Sequence, residues 1–200
     1  AANFTTLCAS LSVPWSENFD AMASIGTSIL PTCWKVESTS GTPWASSNAA
    51  SNTYNDPSSA PNYITVYYSP YTSNEKYLIT PGFNLTAGVS YDFSFSYVGD
   101  TYSGWNADAG YNTNQTGTGY TILGSAFLTS TTTTTNAYTN VTRTFVPATT
   151  GVYYFMVHVN SNVTPYYLGF DNFSLTVTPA CAQQPSALTA SAVTSTTATI

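Results

Sequence analysis

Apolar and polar residues alternate with a period of two along much of this 200-residue chain. The pattern is sharpest in "VSYDFSFSYVG" (89–99). There Tyr91, Phe93, Phe95 and Tyr97 fall on one side and Asp92, Ser94 and Ser96 on the other. Such alternation predicts a half-buried strand. "NYITVYY" (62–68), "YTILGSAFL" (120–128) and "NVTRTFVP" (140–147) read as further strands, and "KYLITPGFNL" (76–85) as one that ends near Pro81-Gly82. In "ATTGVYYFMVHVNS" (148–161) the apolar run is nearly continuous from Val152 to Val159. A strand apolar on both faces belongs in the middle of a sheet, here within a two-sheet sandwich.

The last strand, "YYLGFDNFSLTV" (166–177), changes phase. Tyr166, Leu168 and Phe170 occupy even positions, whereas Phe173, Leu175 and Val177 occupy odd ones. A strand repeats every two residues, so one extra residue is inserted at Asp171-Asn172. Between the strands, residues 1–35 read as irregular with an aromatic anchor. Residues 36–62 read as strands broken by long loops, and residues 100–119 as a Gly/Asn/Thr-rich loop holding Trp105 and Tyr111. The run "TSTTTTTNAY" reads as a loop. The fold class is all-β: a two-sheet antiparallel β-sandwich over residues 1–178. From residue 179 to residue 200 the aromatics disappear, and the pattern looks like a linker and the first strand or two of a fibronectin type III-like domain, incomplete at residue 200.

Composition supports that class. Charged residues make up 6% of the chain, against a usual quarter. Tyr, Phe, Thr and Val dominate, which suits strands and not charge-laced helices. The formal net charge is −6, and the basic residues are Lys35, Lys76 and Arg143. Neither nucleic acid nor an anionic membrane is an expected partner for such a chain. No apolar run approaches the ~18 residues of a membrane-spanning helix, so no membrane insertion is expected. The start, "AANFTTLCAS", reads as a mature N-terminus or a cut from a longer chain. The sparse charge also leaves little repulsion between copies, so self-association or packing against neighbouring domains of the same chain is expected.

The three cysteines form no CxxC pair, which argues against a zinc cluster. Cys8 and Cys33 fall in the first segment and are candidates for a disulfide, in keeping with an oxidising, extracytoplasmic setting. Cys181 pairs beyond residue 200 or stays a free thiol. Lone acids beside aromatics, in "ENFD" and "GFDNF", need a partner that three basic residues cannot supply. A hard cation with oxygen ligands is one solution, and backbone N–H groups at a bulge are another. Tyr102, Trp105 and Tyr111 are candidates to stack on sugar rings; the alternative is that they fold back on the sandwich. His158, the only histidine, reads as a hydrogen-bonded core or edge imidazole. No G-x-S-x-G surrounds a serine, and Glu37 and Glu75 read as surface positions, so no catalytic residue is assigned.

Taken together, an early Cys, "WSENFD", "LPTCW", "KYLITPGFNLTAGVSYDFSFSY", "GVYYFMVHV" and "LGFDNFSL" resemble the choice-of-anchor J / cleaved-adhesin domain, with a more distant likeness to the MAM domain. The resemblance covers roughly residues 8–177. It implies a jelly roll, and a non-catalytic, calcium-stabilised module of a secreted or surface-attached bacterial adhesin. Adhesion to a surface glycan or polysaccharide is the implied role. A structural spacer in a large surface protein and an accessory domain of a secreted hydrolase are the alternatives. The resemblance nominates Glu17 and Asp171 as calcium ligands, with Asp20 and Asn172 beside them. Many members carry a second acid where this chain has Asn172.

Overall fold

The computed structural model describes residues 8–39, 43–50, 55–68, 75–161 and 165–180. The fibronectin-like stretch beyond residue 180 and Cys181 lie outside the described residues. Among the described residues thirteen strands follow in chain order: β1 (Trp15–Glu17), β2 (Gly26–Thr27), β3 (Lys35–Ser38), β4 (Trp44–Asn48), β5 (Asn62–Tyr67), β6 (Lys76–Leu85), β7 (Tyr91–Gly99), β8 (Trp105–Asn112), β9 (Thr121–Ile122), β10 (Leu128–Thr129), β11 (Thr139–Phe145), β12 (Gly151–Ser161) and β13 (Tyr167–Val177). One sheet runs β11-β7-β13-β5-β4-β2, with β1 also paired to β13. The other runs β10-β8-β12-β6-β3, with β9 on β8. All named pairings are antiparallel, and the architecture is the expected jelly-roll sandwich. No helix among the described residues is long and apolar enough to cross a membrane.

The core follows the period-two pattern. Tyr91, Phe93, Phe95 and Tyr97 all point inward from β7, and Tyr153, Phe155, Val157 and Val159 from β12. Phe93 stacks on Phe155 across the two sheets at 4.9 Å. Phe173 fills the space between Trp34 (5.1 Å), Phe95 (5.3 Å) and Phe19 (5.8 Å). Stacked and edge-on pairs at these distances add to the burial of their large apolar surface. A disulfide joins Cys8 to Cys33, with Cα atoms 5.6 Å apart.

Three sequence expectations are corrected. Residues 105–112 are not loop but strand β8, whose inward residues are Trp105, Ala107, Ala109 and Tyr111. Residues 120–128 are not one strand: only Thr121–Ile122 and Leu128–Thr129 pair, both on β8. β6 does not end at Pro81-Gly82. It passes through them on a bulge, opposite the register shift between Tyr154 and Met156. The Thr80 hydroxyl accepts the Phe155 N–H at 3.0 Å, so the proline's disruption of the ladder leaves that donor satisfied.

Candidate functional site

The phase break in β13 is a bulge, and it sits at a seam. Tyr167–Phe170 pair with β5, Phe173–Leu175 pair with β1, and β7 runs along the other edge with a register shift between Asp171 and Ser174. Leu168 and Phe170 face the core before the bulge, Phe173 and Leu175 after it. Asn172 holds φ at 53°, a left-handed conformation that Asn adopts more readily than most residues. Asp171 is fully buried on the outer side of the sheet. Its oxygens accept the N–H groups of Ser59 (2.8 Å) and Asn172 (2.7 Å). Burial pushes its pKa up to about 6; the backbone N–H groups of Ser59 and Asn172 oppose the rise, and the Asp20 charge adds to it.

The other nominated calcium ligands surround the same seam. Glu17 accepts the Phe19 N–H at 2.8 Å, and Asp20 accepts the Asn18 side-chain amide (2.6 Å) and the Asn62 N–H (3.3 Å). The Asn172 amide donates to the Ser58 hydroxyl at 3.1 Å. A groove of about 490 Å³ lies between Ser16–Asn18 and Asn172–Ser174. Glu17 thus closes a local turn, whereas Asp20 and Asp171 tie the 58–62 segment to the seam; among the described residues no three His, Cys, Asp or Glu side chains converge as a metal-ligand set.

The nominated aromatics are parted by the structure. Trp105 is 2% exposed in the core, so it presents no face to a ligand; the loop assignment that nominated it is corrected with β8. Tyr111 packs on Phe145 at 4.3 Å against the core. Tyr102 alone is open, at 51% exposure.

Tyr102 has company that the sequence did not disclose. Its ring lies 4.7 Å from Tyr166, Tyr166 lies 5.7 Å from Tyr68, and Tyr67 lies 4.5 Å from Tyr68 and 4.7 Å from Tyr167. Five tyrosines from the end of β5, the β7–β8 loop and the start of β13 therefore meet at one end of the sandwich. The signal was the pair of "YY" doublets at 67–68 and 166–167, each at a strand end, where strict alternation lapses. Burial first, then the Tyr68 hydroxyl and the other nearby phenols, pushes the Tyr67 pKa up to about 12. At the backbone of this cluster, Asp100 accepts the Tyr167 N–H on one oxygen at 2.7 Å; its other oxygen is buried without a hydrogen-bond partner. Burial lifts this carboxyl to about 6, against the backbone hydrogen bonds it accepts. Lys76, also fully buried, donates to the Tyr67 carbonyl at 2.8 Å, and burial pulls its pKa down to about 8.

A third polar cluster lies on the outer face of the six-stranded sheet. His158 Nδ1 meets Asp108 (3.0 Å) and the Tyr120 hydroxyl (2.9 Å), and Nε2 meets Glu75. Tyr77 stacks on the ring at 4.7 Å. Burial pulls the imidazole pKa down, but the hydrogen bonds and charges of Asp108 and Glu75 outweigh it, and the net shift is upward. The segment 113–120 folds over this face: Gly117 N and the Thr116 hydroxyl donate to Glu37, and Gln115 donates to the carbonyls of Cys33 and Thr80. The histidine is thus a hydrogen-bonded strand residue, as expected, and its partners among the described residues are Asp108, Tyr120 and Glu75.

No family model matches the chain, and no curated protein matches it. Solved structures do. The K2 cleaved adhesin domain of Lys-gingipain superposes with a TM-score of 0.57 at 16% identity, over 83% of this chain and 99% of that one. The K1 domain, from Porphyromonas gingivalis W83, gives 0.56 at 16%, over 83% and 99%. TmCBM61, solved with beta-1,4-galactotriose, gives 0.51 at 16%, over 74% and 90%. The fold is shared with these domains. At such identity the likeness speaks for the fold alone, and the site must argue for itself.

Proposed function

We propose that this chain is a non-catalytic attachment module of an exported surface protein, and that it binds polysaccharide at its tyrosine end. The observation that carries the reading is the run of five contiguous tyrosines with Tyr102 half in water. A phenol ring offers an apolar face to the C–H side of a sugar, and its hydroxyl both donates and accepts. Tyrosine also loses little conformational entropy on binding. The shared fold with cleaved adhesin domains and with a galactotriose-bound module supports the reading. On a glycan array, the wild type is expected to mark a restricted set of saccharides. Tyr102→Ala and Tyr166→Ala are each expected to weaken binding about fivefold to a hundredfold, the scale of ~1–3 kcal/mol for one stacking ring. An array blank for the wild type would move the spacer reading ahead.

A structural calcium ion at the seam is a second proposal. Its support is electrostatic: Asp171 is buried without a basic partner and feels the Asp20 charge, and Glu17 and Asn172 add hard oxygen donors nearby. An ion would pin β1, β5 and β13 together. Calcium is then expected to raise the melting temperature relative to chelator, and Asp171→Asn to erase the difference. Equal melting temperatures with and without chelator in the wild type would leave Asp171 as a bulge cap and nothing more.

A further inference from the structure

We propose that the tyrosine end selects uncharged glycans and rejects uronate- and sulfate-bearing ones. The inference rests on the polysaccharide reading above and names its ligand class. Recognition of a carboxylate or sulfate on a sugar draws on Arg or Lys, whose charge-assisted hydrogen bonds offset the desolvation of the anion. This chain has three basic side chains, and all three are accounted for. Lys35 is tied on the outer face of the other sheet to Glu37 (2.7 Å) and to the Gln115 carbonyl (2.8 Å). Arg143 on β11 donates to the carbonyls of Thr142 (3.0 Å) and Ser125 (2.9 Å). Lys76 does stand at the tyrosine end, but it is fully buried and turned to the Tyr67 carbonyl.

The charged group that does reach this end, at the Tyr167 N–H, is a carboxyl. Asp100 is 2% exposed, and one of its oxygens lacks any hydrogen-bond partner. An anionic sugar brought onto Tyr102 and Tyr166 meets that charge across a region poor in water, where screening is weak. It also approaches a molecule with a net charge of −6. An uncharged sugar meets neither penalty, and the phenol hydroxyls satisfy its hydroxyl groups.

The test is affinity gel electrophoresis of the wild type and Tyr102→Ala. The neutral polymers are β-1,4-galactan, xylan and glucomannan; the anionic ones are alginate, polygalacturonate and chondroitin sulfate. Tyr102 is exposed enough that its truncation leaves the fold intact. The expected result is retardation by at least one neutral polymer and by none of the anionic ones. That retardation should be unchanged between 50 mM and 500 mM salt and reduced at least about fivefold in Tyr102→Ala. Retardation by an anionic polymer that salt abolishes and Tyr102→Ala diminishes would overturn the ligand class and leave the polysaccharide reading standing. Retardation by none of the six would overturn both.

Discussion

Deletion of Asn172 is expected to straighten β13 with its core residues still inward and to lose only the corner around Asp171, whereas Asn172→Gly is expected to leave even that corner almost untouched. With the extra residue gone, Phe170 and Phe173 stand two positions apart, which in a regular strand is one face. Leu168, Phe170, Phe173 and Leu175 then all point inward, and β13 pairs with β7 without the register shift. What is lost is the Asn172 N–H that Asp171 accepts and the amide bond to Ser58. A buried acceptor stripped of a partner costs about 1–3 kcal/mol, a fraction of the about 5–15 kcal/mol that holds a typical domain together. The glycine variant keeps the residue count and adopts φ near 53° without strain, losing only the amide's bond to Ser58. Near-UV circular dichroism and a thermal scan check the pair. Loss of the near-UV signal and of a cooperative transition in the deletion variant would show that the core side chains of β13 depend on the bulge itself.

With chelator present, the domain is expected to be more stable at pH 5 than at pH 6.5, and to weaken further towards pH 8. Three buried groups act in the same direction. Asp100 and Asp171 have folded pKa values of about 6, above the ~3.9 of an unfolded Asp. Between about pH 4 and pH 6 the folded state therefore holds more protons than the unfolded one, and stability falls as pH rises. Each shift of about two units is worth on the order of 3 kcal/mol when the interval is crossed. Above pH 6 both acids are ionised in both states and their effect is flat. His158 then takes over. Its folded pKa lies above the usual 6.5, so its stabilising contact with Asp108 and Glu75 is complete below that value. The contribution is lost as pH rises through the folded value. Glu37 opposes the trend only at the acid end: burial raises its pKa, but Lys35, Gly117 N and Thr116 hold it below the ordinary carboxylate value, so its contribution fades there. Urea midpoints at pH 5, 6.5 and 8 read the slope. His158→Gln is expected to flatten the part above pH 6.5 and leave the part below it. A midpoint that climbs from pH 5 to pH 8 would contradict the assignment of all three groups.

Much of this architecture was legible in the chain, and the reasons differ by element. β7 and β12 declared themselves because large apolar residues mark every inward position. The bulge at Asp171-Asn172 was legible because Phe170 and Phe173 are both too large to sit outside. The same phase change occurs in β6, where Leu78 faces in before Pro81 and Phe83 and Leu85 after it. There the proline read as a stop, although proline at a bulge is compatible with a strand. β8 was missed because two of its inward residues are alanines, which carry little strand signal beside Gly and Asn. The acids at the seam were placed together by resemblance. The tyrosine end was marked only by lapses of alternation at the 67–68 and 166–167 doublets; its five rings come from three places far apart in the chain, and those lapses do not say that they meet.

The Cys8–Cys33 disulfide bears on how the domain carries mechanical load. Tension pulling on Cys8 from the N-terminal side crosses the bridge to Cys33 and enters β3 of the six-stranded sheet. The intervening residues, 9–32, form a slack loop under that load. They include Leu11, bridged to Phe83, and β1, whose three residue pairs with β13 would otherwise peel next, and Glu17 and Asp20 beside the seam. An oxidised domain therefore keeps β1 and its two acids out of the line of force from the N-terminal side. In a reduced one that force would reach Leu11 and then β1.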